Sequence, residues 1–240
     1  MNKQVSILGV SVDCVSMEET LDKIEKSIEQ KKPSLVATAN AEMIMLAQKD
    51  RELFRILNEA SLVIADGAGV VFAARYKKAY IKERVTGFDL TQKLLSLSNK
   101  KNYKIFLFGT SELNIKNVEQ KINHLYPELN IVGVRNGFFS EHEEKEIIEQ
   151  IKKANPDILF LGLGVPKQEK WIAKNLKDIN VPVCIGVGGT FDIMSGSLKR
   201  APLWMQKNHL EWLYRLYQEP KRFFRMMALP KFVFKVILEK

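Results

Sequence analysis

The sequence predicts an α/β protein, a doubly wound, mostly parallel sheet followed by a C-terminal helical appendage. Three observations carry this. Short apolar runs alternate with segments of helical periodicity up to about residue 196, most of those runs are apolar throughout rather than at every second position, and the alternation then stops. A strand that is apolar on both faces needs helices on both sides, which is the setting of a parallel sheet. Alternating strand and helix units wind into such a sheet with right-handed crossovers. The expected architecture is therefore a Rossmann-like core at 1–196 and an appendage at 197–240.

In order, "VSILGVSV" reads as a strand or short hairpin. "SMEETLDKIEKSIEQ" reads as a helix opened by a capping box, Ser16 with Glu19 three residues on. Strand "SLVATAN" leads into helical "AEMIMLAQ" and "RELFRILNEA". Strand "LVIAD" leads into "GVVFAARY" and, after a loop, "FDLTQKLLSLSNK". "KIFLFG" precedes "SELNIKNVEQKINHLY", and "NIVGV" precedes "SEHEEKEIIEQIKKA", with Ser140 and Glu143 as a second box. "DILFLGLG" precedes "PKQEKWIAKNL", and "VPVCIGVGG" closes the series. Beyond it, "APLWMQKNHLEWLYRLYQ", "PKRFFRMMAL" and "PKFVFKVILEK" read as three short helices. Pro202, Pro220 and Pro230 fall in their first turns, where a missing N–H costs little.

Composition narrows the function classes. Hydrophobic residues at 46% and charged residues at 27% exclude a mainly disordered chain. Two cysteines, Cys14 and Cys184, without paired spacing exclude a disulfide framework or a structural zinc site. Net charge is +9, and between 200 and 240 nine Lys/Arg stand against three Glu, so the excess lies in the appendage and favours an acidic partner. Asp13 breaks the first apolar run and no small-residue cleavage site follows, so no signal peptide is expected. No apolar run approaches the roughly 18 to 20 residues of a spanning helix. A cytoplasmic protein is expected, attached to a membrane at most by its surface.

In doubly wound sheets ligands collect beyond the carboxyl ends of the strands. At one such exit "ADGAGVVF" offers G-x-G through Gly67 and Gly69, but the third position of the dinucleotide fingerprint is Phe72. That disfavours an NAD-dependent oxidoreductase. Asp66 stands where the sheet fixes a carboxylate beside glycines that let substrate approach, as a general base requires. It is equally placed to cap the following helix. Thr38 and Asn40 at "ATAN" suit hydroxyls or phosphate oxygens, or again a helix cap. Arg84 in "ERVTGFDL" is a fork suited to phosphate, or a solvated loop arginine.

"LGLGVPKQEKW" places glycines, Pro166, Lys167 and Gln168 at a helix start, which suits an anion or a sugar. "GVGGTFD" repeats the theme, with Gly188 and Gly189 free to form a backbone nest and Asp192 available for a ribose or base edge. G-x-x-x-x-G-K-[ST], G-x-S-x-G and the D-x-D of metal-dependent sugar-nucleotide enzymes are all missing. A diphosphate here would have to be met by cationic side chains and backbone dipoles, with no metal and no cofactor.

The blocks "ADGAGVVFAAR", "RVTGFDL", "LGLGVPKQEKW", "GVGGTFDIMSGSLKRAP" and "LEWLYRLYQEPKRFFR" together resemble the TagA/WecG/CpsF glycosyltransferases, in the same order and with similar spacing across nearly the whole chain. The resemblance is greatest to the TagA branch. It implies a bacterial enzyme that moves N-acetylmannosamine from UDP-N-acetylmannosamine to undecaprenyl-diphosphate-linked N-acetylglucosamine, the committed step of wall teichoic acid synthesis. In the WecG branch the donor is the uronic acid relative. The resemblance further implies Asp66 as general base of an inverting displacement and Arg84 and Gln168 near the donor diphosphate and sugar. Thr38 and Asn40 would line the pocket, and Asp192 would lie in the nucleotide pocket.

The appendage interleaves its basic residues with Trp204, Trp212, Tyr214, Tyr217, Phe223, Phe224, Phe232 and Phe234. This is the composition of a helix lying in a membrane interface, or of a lid or subunit interface whose aromatics are core. A membrane-borne acceptor joins the two readings. The appendage would dock on the anionic inner face of the cell membrane, while Arg215, Arg222 and Arg225 fold over the site to neutralise diphosphate charge. Its apolar surface also suits homo-oligomer formation. A nucleic-acid or anionic-lipid binding module is the rival class. No RNA-binding or helix-turn-helix pattern accompanies the basic residues, so no nucleic-acid partner is expected.

Overall fold

A computed structural model describes residues 4–239; Lys240, counted above in the basic appendage, lies outside them. The first apolar stretch is a hairpin, β1 (Gln4–Ile7) and β2 (Val10–Asp13), paired antiparallel about a turn in which Leu8 and Gly9 have φ of 48° and 78°. Two positive φ values in a two-residue connection match the right-handed twist of the strands they join.

Six further strands form one sheet: β3 (Ser34–Ala39), β4 (Leu62–Ala65), β5 (Ile105–Gly109), β6 (Ile131–Arg135), β7 (Ile158–Gly162) and β8 (Val183–Gly186). Their order is β4-β3-β8-β7-β5-β6, and all neighbouring pairs are parallel. The apolar runs are explained by what covers them. Phe106 and Phe108 enter the core on one face of the sheet, and Ile105 and Leu107 enter the core on the other. Both capping boxes form as expected, at Ser16 with Glu19 and at Ser140 with Glu143. The hairpin guards the β4 edge, where Asp13 Oδ2 accepts the Val63 N–H at 2.9 Å and Oδ1 takes Lys23 at 3.0 Å.

The winding reverses twice. From β3 the chain moves outward to β4 while β8 takes the other side of β3, and from β5 it moves outward to β6 while β7 leads back to β8. Crossovers that diverge in this way leave a crevice at the carboxyl ends of the strands. The exits after β3, β4, β7 and β8 open onto it.

Beyond the core lie helices Leu203–Lys207, Glu211–Gln218, Phe223–Met226 and Ala228–Leu238, with a 3₁₀ turn at Pro220–Arg222. The first of the three expected helices is thus two. The break falls at 208–210, where His209 adopts a φ of 61°, and a left-handed residue ends a helix whatever its apolar period. The last helix packs tightly. Phe232 and Val236 are fully buried in the core, and the Phe232 ring lies against Gly69. Glu239 accepts the Leu8 N–H and pairs with Lys77, both at 3.0 Å.

Replacing Phe232 by Ala should cost about 3 to 5 kcal/mol in urea unfolding, because it opens a cavity under this helix. Phe224, 85% exposed, should cost no more than about 0.5 kcal/mol when replaced by Ala.

Candidate active site

The crevice is a cleft of about 1020 Å³, lined by Asn40 after β3, Asp66 to Gly69 after β4, Leu163 to Lys167 after β7 and Gly188 and Gly189 after β8. Arg84, Thr86 and Phe88 form one wall. The appendage supplies the opposite one with Arg200, Glu211, Tyr214, Arg215, Arg222 and Arg225. The volume suits a ligand of nucleotide-sugar size.

Asp66 leaves the end of β4 and sits deep in this cleft. It does not cap the helix that follows: Ala68–Tyr76 begins at Gly67 without a side-chain cap. Asp66 Oδ1 instead accepts, at 3.1 Å, the N–H of Gly87, the first residue of helix Gly87–Lys101. Thr86 caps that helix from the other side, taking the Asp89 N–H at 3.0 Å. Gly67 is required by a close approach, since a Cβ there would stand 3.0 Å from the Asn40 Cβ. Burial pushes the Asp66 carboxyl up to about 6; the Gly87 N–H and the Arg84 charge oppose the rise, while Glu211 and Asp89 add to it. A carboxyl poised near 6, open to a cleft and fixed by a backbone donor, is equipped to accept a proton.

Positive charge surrounds it in paired form. Arg84 is bonded to Glu211. Arg200 grips Asp89 with two bonds, of 2.7 and 2.8 Å, lies 4.4 Å from the centre of the Phe88 ring and holds its Nε 3.6 Å from Glu211 Oε1. These contacts tie the appendage to the 84–89 wall. Arg215 pairs with Glu219 and reaches to 3.7 Å from Asp192 Oδ2. Its guanidinium fills the space a side chain at 189 would need, since a Cβ on Gly189 would come within 2.9 Å of Nη2. Arg225 bonds Glu42, and Arg222 Nε lies 3.6 Å from Glu219 Oε2. Burial, then the like charges of Arg215 and Arg225, hold Arg222 below the usual guanidinium range. Among the described residues no three His, Cys, Asp or Glu side chains converge on a common point.

Of the residues singled out from the sequence, the cleft brings together Asn40, Asp66, Arg84, Gly188, Gly189, Arg215, Arg222 and Arg225. Asn40 also caps the helix Ala41–Ala47, its Oδ1 accepting the Met43 N–H at 2.9 Å. Three others stand behind the lining rather than in it. Thr38 is buried and donates to the Gly186 carbonyl at 3.0 Å, tying β3 to β8. Gln168 is buried and bonded to backbone N–H groups of two loops. Asp192 Oδ1 accepts from Thr110 at 2.9 Å and from Asn114 at 3.4 Å. Thr38 and Gln168 turn their polar groups inward to brace strands and loops, and Asp192 lies between Thr110 and the Arg215 guanidinium; one-dimensional spacing does not reveal those directions. Sequence reasoning missed Glu211 and Glu42, whose only mark was being acids near basic residues, and Arg200, visible in "SLKRAP" but read only as charge.

The sequence profile of the Glycosyl transferase WecG/TagA/CpsF family matches residues 5–240. The N-acetylglucosaminyldiphosphoundecaprenol N-acetyl-beta-D-mannosaminyltransferase of Bacillus subtilis (strain 168) is 39% identical over 221 residues, 92% of this chain and 86% of the relative. The protein of the same name from Staphylococcus aureus (strain MW2) is 30% identical over 239 residues, 99% of this chain and 93% of the relative.

Two results should follow from the placement of Asp66. Carboxyl ¹³C NMR should show it titrating near pH 6, and Arg84→Ala should move the midpoint higher by removing an opposing positive charge. A folded Asp66 keeps its proton to about 6 while an unfolded aspartate loses it near 3.8, so its ionisation destabilises the fold at neutral pH. Asp66→Asn should therefore raise Tm around neutral pH, and the gain should vanish below about pH 4. Equal melting temperatures at neutral pH would contradict the buried charge.

Proposed function

Because the chain belongs to the WecG/TagA/CpsF glycosyltransferase family, we propose that it transfers N-acetylmannosamine from UDP-N-acetylmannosamine to undecaprenyl-diphosphate-linked N-acetylglucosamine. The product is a lipid-linked disaccharide for wall teichoic acid. The observation that carries this reading is the pairing of a proton-accepting Asp66 with a rim of arginines, in one cleft of nucleotide-sugar size. The named activity of relatives that match nearly the whole chain supports it.

In this reading Asp66 removes the proton of the acceptor hydroxyl as that oxygen bonds to the anomeric carbon. The bond from that carbon to the UDP oxygen breaks on the opposite face, which inverts the configuration. UDP leaves with the electron pair, and the proton stays on Asp66 until it passes to solvent. Charge growing on the leaving diphosphate is met by guanidinium groups and by N–H groups at the start of helix Lys167–Ile179, fixed in place before the reaction. Arg84, Arg215, Arg222 and Arg225 are the groups proposed for this role. Asn40, Gly188 and Gly189 contact the substrates, and Thr38, Gln168 and Asp192 act through the elements they brace.

The 1–196 region serves as catalytic core, and 197–240 completes the site and docks the enzyme on the anionic inner face of the cell membrane. Leu203, Trp204, Tyr217, Phe223 and Phe224 are all more than half exposed on the appendage that also carries the cleft arginines. Apolar side chains beside basic ones are what an interfacial helix presents to lipid. No helix among the described residues is long and apolar enough to cross a membrane. Self-association would cover the same surface.

UDP release from UDP-N-acetylmannosamine with a lipid-diphosphate acceptor should fall roughly 10² to 10⁴-fold in Asp66→Asn. In the unsubstituted enzyme kcat/KM should rise through about pH 6 to a plateau, since only the ionised carboxylate takes a proton. Full activity in Asp66→Asn would refute the base, and loss of turnover in EDTA would require a metal. Arg222→Ala should lower turnover without unfolding the chain, a cleaner test than truncation because Phe232 belongs to the core. Replacing Tyr217 and Phe224 together by Ser should reduce sedimentation with anionic vesicles; unchanged sedimentation would argue against docking through this face.

A further inference from the structure

Beneath the cleft floor Gln168 is paired with a buried carboxyl, Glu169, to which the transfer step gives no role. Gln168 and Glu169, in the first turn of helix Lys167–Ile179, are each 1% exposed. The Gln168 amide oxygen accepts the N–H of Gly164 at 3.2 Å and that of Gly188 at 3.1 Å. The two glycines belong to different loops, one after β7 and one after β8, and both line the cleft. Their φ values are +79° and +51°, and neither has a side chain to anchor it. With two N–H groups before it, the amide must present oxygen to the loops and turn its nitrogen away. That nitrogen meets Glu169 Oε1 at 2.8 Å. Gly186 makes room for the pair, since a Cβ there would stand 2.5 Å from Gln168 Nε2 and 3.0 Å from Glu169 Oε1.

We propose that Glu169 is a positioning residue: by accepting the Gln168 side-chain N–H it fixes the amide whose oxygen ties the β7 and β8 loops together, and so shapes the floor on which the nucleoside diphosphate rests. The clip follows from the geometry alone; its effect on the ligand rests on the glycosyltransferase reading of the cleft. Glu169 Oε2 is buried without a hydrogen-bond partner among the described residues, so the contact to Gln168 runs through the other oxygen alone. Burial pushes Glu169 up to about 7, and a protonated carboxyl still accepts through its carbonyl oxygen. Acceptance, not charge, is what the clip requires. A neutral amide at 169 should serve, whereas an apolar side chain of similar size should not.

Amide hydrogen exchange in the unliganded protein reads the clip directly. Glu169→Leu should speed exchange at Gly164 and Gly188 by about tenfold or more, the factor expected when one supporting hydrogen bond is lost. Glu169→Gln should stay within about threefold of the unsubstituted protein, because it restores the acceptor. Glu169→Leu leaves the buried Gln168 Nε2 without its acceptor, so Tm should fall modestly; amides remote from the two loops should keep their relative exchange rates, which separates positioning from general destabilisation. Titration with UDP should then show about tenfold weaker binding for Glu169→Leu and recovery in Glu169→Gln, with KM for the sugar nucleotide rising more than kcat falls. Unaltered exchange in Glu169→Leu, or Glu169→Gln as impaired as Glu169→Leu, would overturn the clip. If the unsubstituted protein bound no UDP while the exchange pattern held, the reading of the cleft would fail and the clip would stand.

Discussion

The constraint on which the rest of the site depends is a carboxylate held out of bulk water. Asp66 is pinned at the mouth of β4 by one backbone donor, Gly87, and is pushed toward its protonated form by burial. An ion so placed persists only where fixed dipoles or opposite charge offset its lost hydration. The neighbouring elements do this: the start of helix Gly87–Lys101 faces it, and Arg84 lies near enough to lower its pKa. The same elements leave Asp66 among the residues that line the cleft.

That arrangement extends to the appendage through ion pairs. Arg84 is bonded to Glu211, Arg200 to Asp89, Arg215 to Glu219 and Arg225 to Glu42. Each pair crosses from one segment to another or fixes one guanidinium against the cleft. Guanidinium groups crowded on one wall repel one another, and at Arg222 burial first, then the charges of Arg215 and Arg225, lower the guanidinium below its usual range. The carboxylates keep them assembled on that wall. Such pairs add little net stability when partly exposed. Their effect is on geometry, and the apolar anchoring is left to Phe232 and Val236.

The glycine loops complete the cleft by subtraction. Gly67 lets the loops after β3 and β4 touch, and Gly189 leaves room for the Arg215 guanidinium. Backbone freed of side chains is poorly fixed, which is why buried amides and carboxyls beneath it matter. Gln168 and Thr38 satisfy backbone groups of the strand exits, and that task keeps them out of the cleft.

Much of this was legible in one dimension because its causes are local. Apolar runs and helical periods reflect burial on two faces of a strand or one face of a helix. The capping boxes at Ser16 and Ser140 are contacts between residues three apart, so the order of elements and the strand exits followed from spacing. Asp66 stood out because an acid after an apolar run and before glycines is a local pattern. The sequence could not decide which way a polar side chain turns. Asp66 meets Gly87 rather than its own helix, Gln168 faces backbone rather than cleft, and Glu211 reaches Arg84 across 127 positions of chain. Nor could it decide whether the aromatics of the appendage face a membrane or a core; Phe232 is packed on Gly69. Those choices are made by distances between segments remote in sequence, which exist only once the sheet has closed and its exits have been brought to one side.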